Sequence, residues 1–576
     1  MRSGWLILAR RLSASVPITA NNPANNPEAK RTSPVSNAIP APHPLLVATG
    51  IFLILFLLRL PTIVWPYELN VDESQMLSQA MKFLLDPVPW RSVDGTSSGP
   101  LNSLLISAFL ALGVHPTYAS VHVLATGLVS LYTFAAYVTL TRLCDFRAAL
   151  WGIVPMVLCF GFSGNPEFLH YSSELLPAFL LAIGFYWFLR WSNTVEEHPD
   201  KSASFLLFLC GLSVGLAPWC KLQAVPLSLT LAATTIVAIA RNSRVPQRSM
   251  QIFRFCASAS LPSILFLLIV FRAGVLVDCW NSYVLGNLAY AGSFSIIRFS
   301  KHLASALFLS EMLPLTSCGA FAFVLYLYIR LGKSAKALTG RIGATSWILA
   351  IYLLVTLFAV ARPAYFFLHY TVFLLFPASC LITSLLWSAI PHLTQRLQSL
   401  LSLVAKSGLA LIATIYVISL ALQAFNQSQL PRTPDASEKI AAVILRLKSS
   451  NGANSLAIWG WTPGVYVDSG MPPATRDAIG HFVISKSSSQ TYFRHRFVTD
   501  MRRSSPDIFV DSVAPGAFTW TWNAEDSFES DPALRDFVQQ EYVLASEVAL
   551  SPGAKPVRVF LRRSLAQRDP MQSLPR

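Results

Sequence analysis

Apolar runs close to membrane length recur along most of this chain, and no other feature restricts its fold as tightly. The first clear run, LLVATGIFLILFLLRLP, contains a single charged residue, Arg59. A helix rises 1.5 Å per residue, so about 20 apolar residues cross the hydrocarbon core of a bilayer. The 576 residues are 53% hydrophobic and only 13% charged, about half the charge of an average soluble protein. In lipid every backbone polar group must be satisfied within the chain, which leaves helices as the way to use such runs. The sequence therefore predicts a polytopic α-helical membrane protein.

Eleven spans are expected, at about 45–64, 118–140, 148–164, 172–190, 204–221, 223–240, 257–275, 311–330, 345–361, 365–388 and 407–425. The formal charge of +15 is spread over short loops rather than gathered in a stripe. Arg142/Arg147, Arg190/Lys201, Arg241/Arg244/Arg248/Arg254, Lys333/Lys336/Arg341 and Arg396/Lys406 recur on one side of that topology. This is the positive-inside pattern, and it argues against a nucleic-acid partner. The first 44 residues hold no run of h-region length and read as a disordered cytoplasmic tail rather than a signal peptide. With that end inside, an odd number of spans places residues 426–576 outside. The apolar segment 101–113 is too short to span and reads as a juxtamembrane or re-entrant helix in the loop 65–117.

The last 150 residues change character. Thr433-Pro434-Asp435 signals a helix start, with Ile440, Val443, Ile444 and Leu447 on one face. Strands are expected at Ser455–Trp461, Asp507–Asp511, Tyr542–Leu550 and Val557–Leu561, with a helix capped by Asp531 between the second and third. Together they predict an extracytoplasmic α/β domain. All eight cysteines lie between Cys144 and Cys380, so this domain is not a disulfide scaffold.

Ionisable groups in or beside a membrane are costly and tend to be functional. On the outer side the expected topology collects Asp72 and Glu73, Asp94, Glu167, His170 and Glu174, Lys221, Arg362 and His369. Each has a plainer explanation: a solvated loop acid, a helix cap, an interfacial histidine or a snorkelling cation. Arg59, near the end of the first span, reads as a snorkeller. Met76 to Leu85 reads as an amphipathic helix on the membrane surface. Taken together, a carboxylate that accepts a proton from a hydroxyl and cations that stabilise a departing phosphate suit group transfer at an anionic leaving group.

The order of these motifs resembles the GT-C glycosyltransferases. The nearest branch is the bacterial one related to protein O-mannosyltransferases and the lipid A aminoarabinose transferase. NVDESQML and DGTSSGPLNSLLISAFLALGV carry the resemblance in the first loop, followed by EFLHYSSELLP, GLAPWCKLQAVPLSL and RPAYFFLHYTVFLLFP, over residues 45–425. The resemblance implies a sugar moved, with inversion, from a polyprenyl-phosphate carrier to an acceptor outside the membrane. It makes Asp72 the general base, Glu73 its neighbour and Glu174 a second acid that positions acceptor or metal. Lys221, Arg362 and His369 would hold the lipid phosphate, with Arg59, Glu167, His170, Tyr283 and Tyr370 as supporting residues. A divalent metal is left open, with Asp72, Glu174 and His170 as its ligands. Two departures stand out: Gly99-Pro100 replaces the usual pair of prolines, and the second acid is Glu rather than Asp.

Two other functions remain open at this point. One is a transporter or flippase of a lipid-linked sugar, although such proteins place polar groups at mid-membrane and show repeats. The other is a scaffold or receptor with an exported domain. In that domain Trp459, Trp461 and Tyr466 are either sugar-stacking surfaces or core, and Arg476 faces either a membrane cavity or a neighbouring acid.

Overall fold

The computed structural model describes residues 42–197, 201–331, 344–429, 434–487, 489–518 and 526–567. The expected N-terminal tail up to residue 41, and the basic loop with Lys333, Lys336 and Arg341, lie outside the described residues.

Every one of the eleven apolar runs is helical, but not all reach spanning length. Among the described residues eight helices are long and apolar enough to cross a membrane. A ninth span results if Ile296–Phe308 and Leu313–Leu327, which meet at 94°, are counted as one. Two of the other expected spans are shorter apolar helices by this measure, Phe146–Gly161 and Ala203–Trp219, and proline supplies the reason. Pro155 stands at the start of Val154–Gly161, just after Phe146–Gly152 has ended. Pro218 falls where Lys201–Leu216 tightens into the 3-10 turn Ala217–Trp219. Proline lacks the N–H that would continue a helix.

The helices pack around one continuous apolar core, in which Tyr132, Phe160, Phe185, Tyr352 and Phe376 interlock. Two helices of the first loop are held against it. Val71–Phe83 begins at Asn70, whose Oδ1 accepts from the Asp72 N–H at 2.9 Å, a cap that orients the first turn. Pro100–Ala111 follows with proline at its first position, as helices favour. Gly99 precedes it because nothing larger fits: a Cβ there would lie 2.1 Å from the carbonyl oxygen of Trp219. The expectation that residues 76–85 lie on the membrane surface is overturned. Glu73 to Met81 are buried without a break, as is Phe83, and only Leu84 and Leu85 are well exposed. Two glutamines and two serines face protein partners inside, which a composition-based amphipathic reading could not anticipate.

The C-terminal region forms a four-stranded sheet of β1 (Leu456–Trp459), β2 (Ile508–Asp511), β3 (Tyr542–Val548) and β4 (Val557–Arg562), in the order β1-β2-β4-β3. β1 and β2 run parallel, with Leu456 opposite Ile508, and the other pairs are antiparallel. LAIW and IFVD are buried throughout, as strands covered on both faces must be. One face meets Ile440, Ile444 and Tyr466; the other meets Phe493, Phe497 and Val538. The helix Ala436–Asn451 is capped by Asp435, the last residue of the expected start signal, and Pro532–Glu541 by the expected cap, Asp531.

Candidate active site

Four segments far apart in sequence converge on one cluster. They are the start of Val71–Phe83, the turn 166–174 ahead of Leu175–Glu197, the short link at Lys221 between two 3-10 turns, and the turn Leu368–Thr371. Each is a place where a regular helix stops, so side chains can turn toward a common point.

His369 is the centre of this cluster. Its Nδ1 lies 2.5 Å from Glu167 Oε2, while Nε2 faces Glu174 Oε2 at 3.8 Å and Asp72 Oδ2 at 4.0 Å. The other Glu167 oxygen accepts from Asn70 Nδ2 at 2.7 Å, so the residue that caps the first-loop helix also fixes the carboxylate that orients the imidazole. Lys221 forms an ion pair with Glu174, donates to Ser173 Oγ at 2.7 Å, and lies 5.1 Å from the centre of the Tyr370 ring. Burial ranks the acids: the side chain of Glu174 is wholly enclosed, that of Glu167 is 21% exposed, and that of Asp72 is 32% exposed. Asp72 is thus the carboxylate of the cluster most open to an incoming molecule.

Electrostatics keep the buried acids ionised. Burial alone would raise Glu167, but the hydrogen bond and charge of His369 hold it down at about 2. Burial also acts to raise Glu174, and the charges of Lys221 and His369 outweigh it, leaving the carboxyl below its ordinary value. Burial, and then the neighbouring His369, push His170 down. That ring meets His369 edge-on at 5.4 Å, and its Nε2 is buried without a hydrogen-bond partner among the described residues.

The other residues singled out from sequence lie elsewhere. Glu73 turns away from Asp72 into the packing, where it meets His122 Nε2 at 3.1 Å and the backbone N–H groups of Leu69 and Tyr171. Burial would raise its pKa, but the His122 contact outweighs that and lowers it. Arg59 is not a snorkeller. It is fully buried and donates to Thr126 Oγ1 and to the carbonyls of Phe160, Phe168 and Leu169. Those carbonyls are left free by the broken helix ends nearby, and a guanidinium has enough donors for all of them. Arg362 donates to the Ala291 carbonyl at 2.7 Å and, among the described residues, makes no ion pair with the cluster. Tyr283 packs against Trp90 and Trp219 and donates to the Pro218 carbonyl. Trp459 and Tyr466 are core, and Trp461 is nearly so, stacked on Phe518. Arg476 pairs with Asp500. Among the described residues no three His, Cys, Asp or Glu side chains are grouped to hold a metal ion.

Asn70 and Ser173 were missed from sequence. Asn70 had a signal, since an Asn directly before a helix start is an N-cap candidate; Ser173 had none.

The tertiary arrangement has a counterpart. ArnT from Cupriavidus metallidurans, solved bound to undecaprenyl phosphate, superimposes with a TM-score of 0.53 at 13% identity over 91% of this chain and 99% of that one. Its apo structure gives the same TM-score at 12% identity. The chain has the GT-C fold. An oligosaccharyltransferase from Archaeoglobus fulgidus is a more distant match, with a TM-score of 0.45 at 14% identity, covering 89% of this chain and 74% of that one. No family model and no curated protein sequence matches the chain. At these identities the fold alone is shared, and the roles of the cluster must be argued from its own geometry.

Proposed function

We propose that this protein is a glycosyltransferase that moves a sugar from a polyprenyl-phosphate carrier to a hydroxyl of an acceptor, with inversion. The observation that carries the reading is the pairing of one accessible carboxylate, Asp72, with a buried cationic pocket built from Lys221 and His369. ArnT, solved with undecaprenyl phosphate on the same fold, supports the choice of donor.

In this reading the acceptor hydroxyl loses its proton to Asp72 as its oxygen attacks the anomeric carbon. The bond from that carbon to the phosphate oxygen breaks, and the polyprenyl phosphate leaves with both electrons. Lys221 and protonated His369 stabilise the charge that builds on the phosphate. Glu167 keeps His369 oriented, and Glu174 keeps Lys221 in place. Glu73 acts as a positioning residue, tying the first-loop helix to His122. Arg362, which in this structure donates to the Ala291 carbonyl, is the further phosphate contact that the sequence resemblance implies. The cluster and the C-terminal α/β domain (residues 426–576) face the extracytoplasmic side of a bacterial inner membrane, and the N-terminus is cytoplasmic. Acceptors of matching chemistry are a glycolipid such as lipid A, an envelope polysaccharide precursor, or a protein.

The test is transfer from a polyprenyl-phosphate sugar in proteoliposomes. Asp72→Asn is expected to lower the rate by about 10²–10⁴-fold, the range for losing a general base. Undiminished transfer by that variant would remove Asp72 from its role. A wild type that carries the lipid-linked sugar across the bilayer without ever transferring it would replace this reading with that of a flippase.

A further inference from the structure

Outside the cluster, a second gathering of buried charge among the described residues lies where the C-terminal region meets the first loop. Arg496, on the helix Gln490–Ser504, is 4% exposed. Its Nη2 lies 2.7 Å from Asp94 Oδ2 and 2.6 Å from Asp477 Oδ1, and its Nη1 is 3.6 Å from Asp278 Oδ1. Arg476 reaches the same Asp278 oxygen at 3.2 Å while holding Asp500. Asp94 belongs to the first loop and Asp278 to the segment after the helix Arg248–Arg272, so the arginines join three separate parts of the chain.

Asp94 is the point through which this contact acts. Its Oδ1 accepts from the Thr96 N–H at 2.8 Å and from Ser282 Oγ at 2.5 Å, and its backbone N–H donates to the Arg476 carbonyl at 2.9 Å. Its own carbonyl accepts from Gln79 Nε2 at 3.0 Å, and Gln75 Nε2 donates to Gly95 and Thr96. Gln75 and Gln79 are on Val71–Phe83, the helix that presents Asp72. Lys82, near its other end, donates to the carbonyls of Ala474 and Thr475. The turn at 94–96 includes Thr96 at φ +54°, a conformation that a threonine keeps only when its surroundings hold it.

We propose that Arg496 is a positioning residue: by joining Asp94 to Asp477 it locks the first-loop helix against the C-terminal domain and so holds Asp72 in register with Lys221 and His369. This rests on the reading of Asp72 as the base. Without the guanidinium, two enclosed carboxylates face each other in a medium of low dielectric, and the repulsion drives the loop away from the domain. A displacement of about 1 Å at a reacting group costs on the order of 10²-fold in rate. The lipid phosphate pocket, built from other segments, stays intact.

The test compares wild type with Arg496→Gln in the full-length protein. Amide exchange is expected to speed up by about tenfold or more over 71–83 and 90–99, with 456–459 and 508–511 unchanged, as a local opening requires. In the transfer assay kcat is expected to fall by about 10²-fold with the donor KM within about twofold. Wild-type exchange over 71–83 would overturn the proposal. Lost protection over 456–459 and 508–511 would overturn it as well, because the arginine would then be a fold residue of the domain alone. A fall in kcat matched by an equal rise in donor KM would do the same. Asp94→Asn supplies the measurement if Arg496→Gln fails to accumulate: it keeps an acceptor for Thr96 and Ser282 while removing the charge that faces Arg496. Faster exchange over 90–99 in that variant supports the lock, and wild-type exchange refutes it. If the wild type transfers no sugar, the functional reading falls while the exchange data still decide whether Arg496 holds the loop.

Discussion

Removing the cation of the Lys221–Glu174 pair should reverse the pH dependence of stability, and the structure sets the scale. Glu174 is wholly enclosed, and Lys221 is its ion-pair partner. In Lys221→Met the carboxylate keeps only Ser173 Oγ at 3.2 Å and the more distant His369. Breaking a buried pair by deleting one partner costs about 3–5 kcal/mol; those two remaining contacts favour the lower end, about 3 kcal/mol. The sign follows from linkage. In wild type Glu174 is depressed below its ordinary 4.5, so its contribution is present above that pH and is lost as pH falls through the folded value. In Lys221→Met burial is left as the larger influence and the folded value rises above 4.5. Stability is then present below that pH and is lost as pH rises. Unfolding followed by tryptophan fluorescence in mixed micelles should therefore show the variant's deficit growing from pH 5 to pH 8, by about 1.4 kcal/mol per pKa unit. Glu174→Gln combined with Lys221→Met should abolish that trend. A single variant as stable as wild type at pH 8, or a deficit that does not change with pH, would refute the buried-pair reasoning.

Two further outcomes follow from the first loop. Glu68, partly accessible yet enclosed by its neighbours, is pushed up to about 8, first by burial and further by Glu73, Asp435 and Asp468, against a hydrogen bond from Ser74. Its contribution is full below pH 4.5 and is lost as pH rises through about 8, so Glu68→Gln should flatten unfolding-midpoint curves over that window; an unaltered slope would contradict the assignment. Gly99→Ala must displace either the Trp219 carbonyl or the Pro100–Ala111 helix. It should destabilise by several kcal/mol, on the order of 3, and a variant that unfolds with the wild-type midpoint would show that the close approach relaxes freely.

The elements were legible where local chemistry decides them. Span-length apolar runs became helices, Asp435 and Asp531 became caps, and the four strands appeared with ends that match or shift by at most two residues. The site was half legible. Asp72, Glu174, Lys221 and His369 do converge, joined by Glu167 and His170. Arg362, seven residues before His369, and Tyr283 were expected beside them but turn to backbone carbonyls instead. Adjacent residues on a helix point about 100° apart, so the motif Asp72-Glu73 could name two acids without saying which one looks outward.

Sequence by itself determined that this chain enters a membrane, roughly where its apolar helices lie, and which few ionisable groups had to be explained. It did so because hydropathy, proline and caps act within one or two turns. Only the tertiary structure decided that Glu73 is bound to His122 while Asp72 stays open, that Arg59 gathers loose carbonyls, and that Arg496 reaches Asp94. Arg496 and Asp94 are some 400 residues apart in the chain, and a charge pair across such a distance leaves no periodic trace. Burial is a property of what packs against a residue, so it is set when distant segments meet and not before.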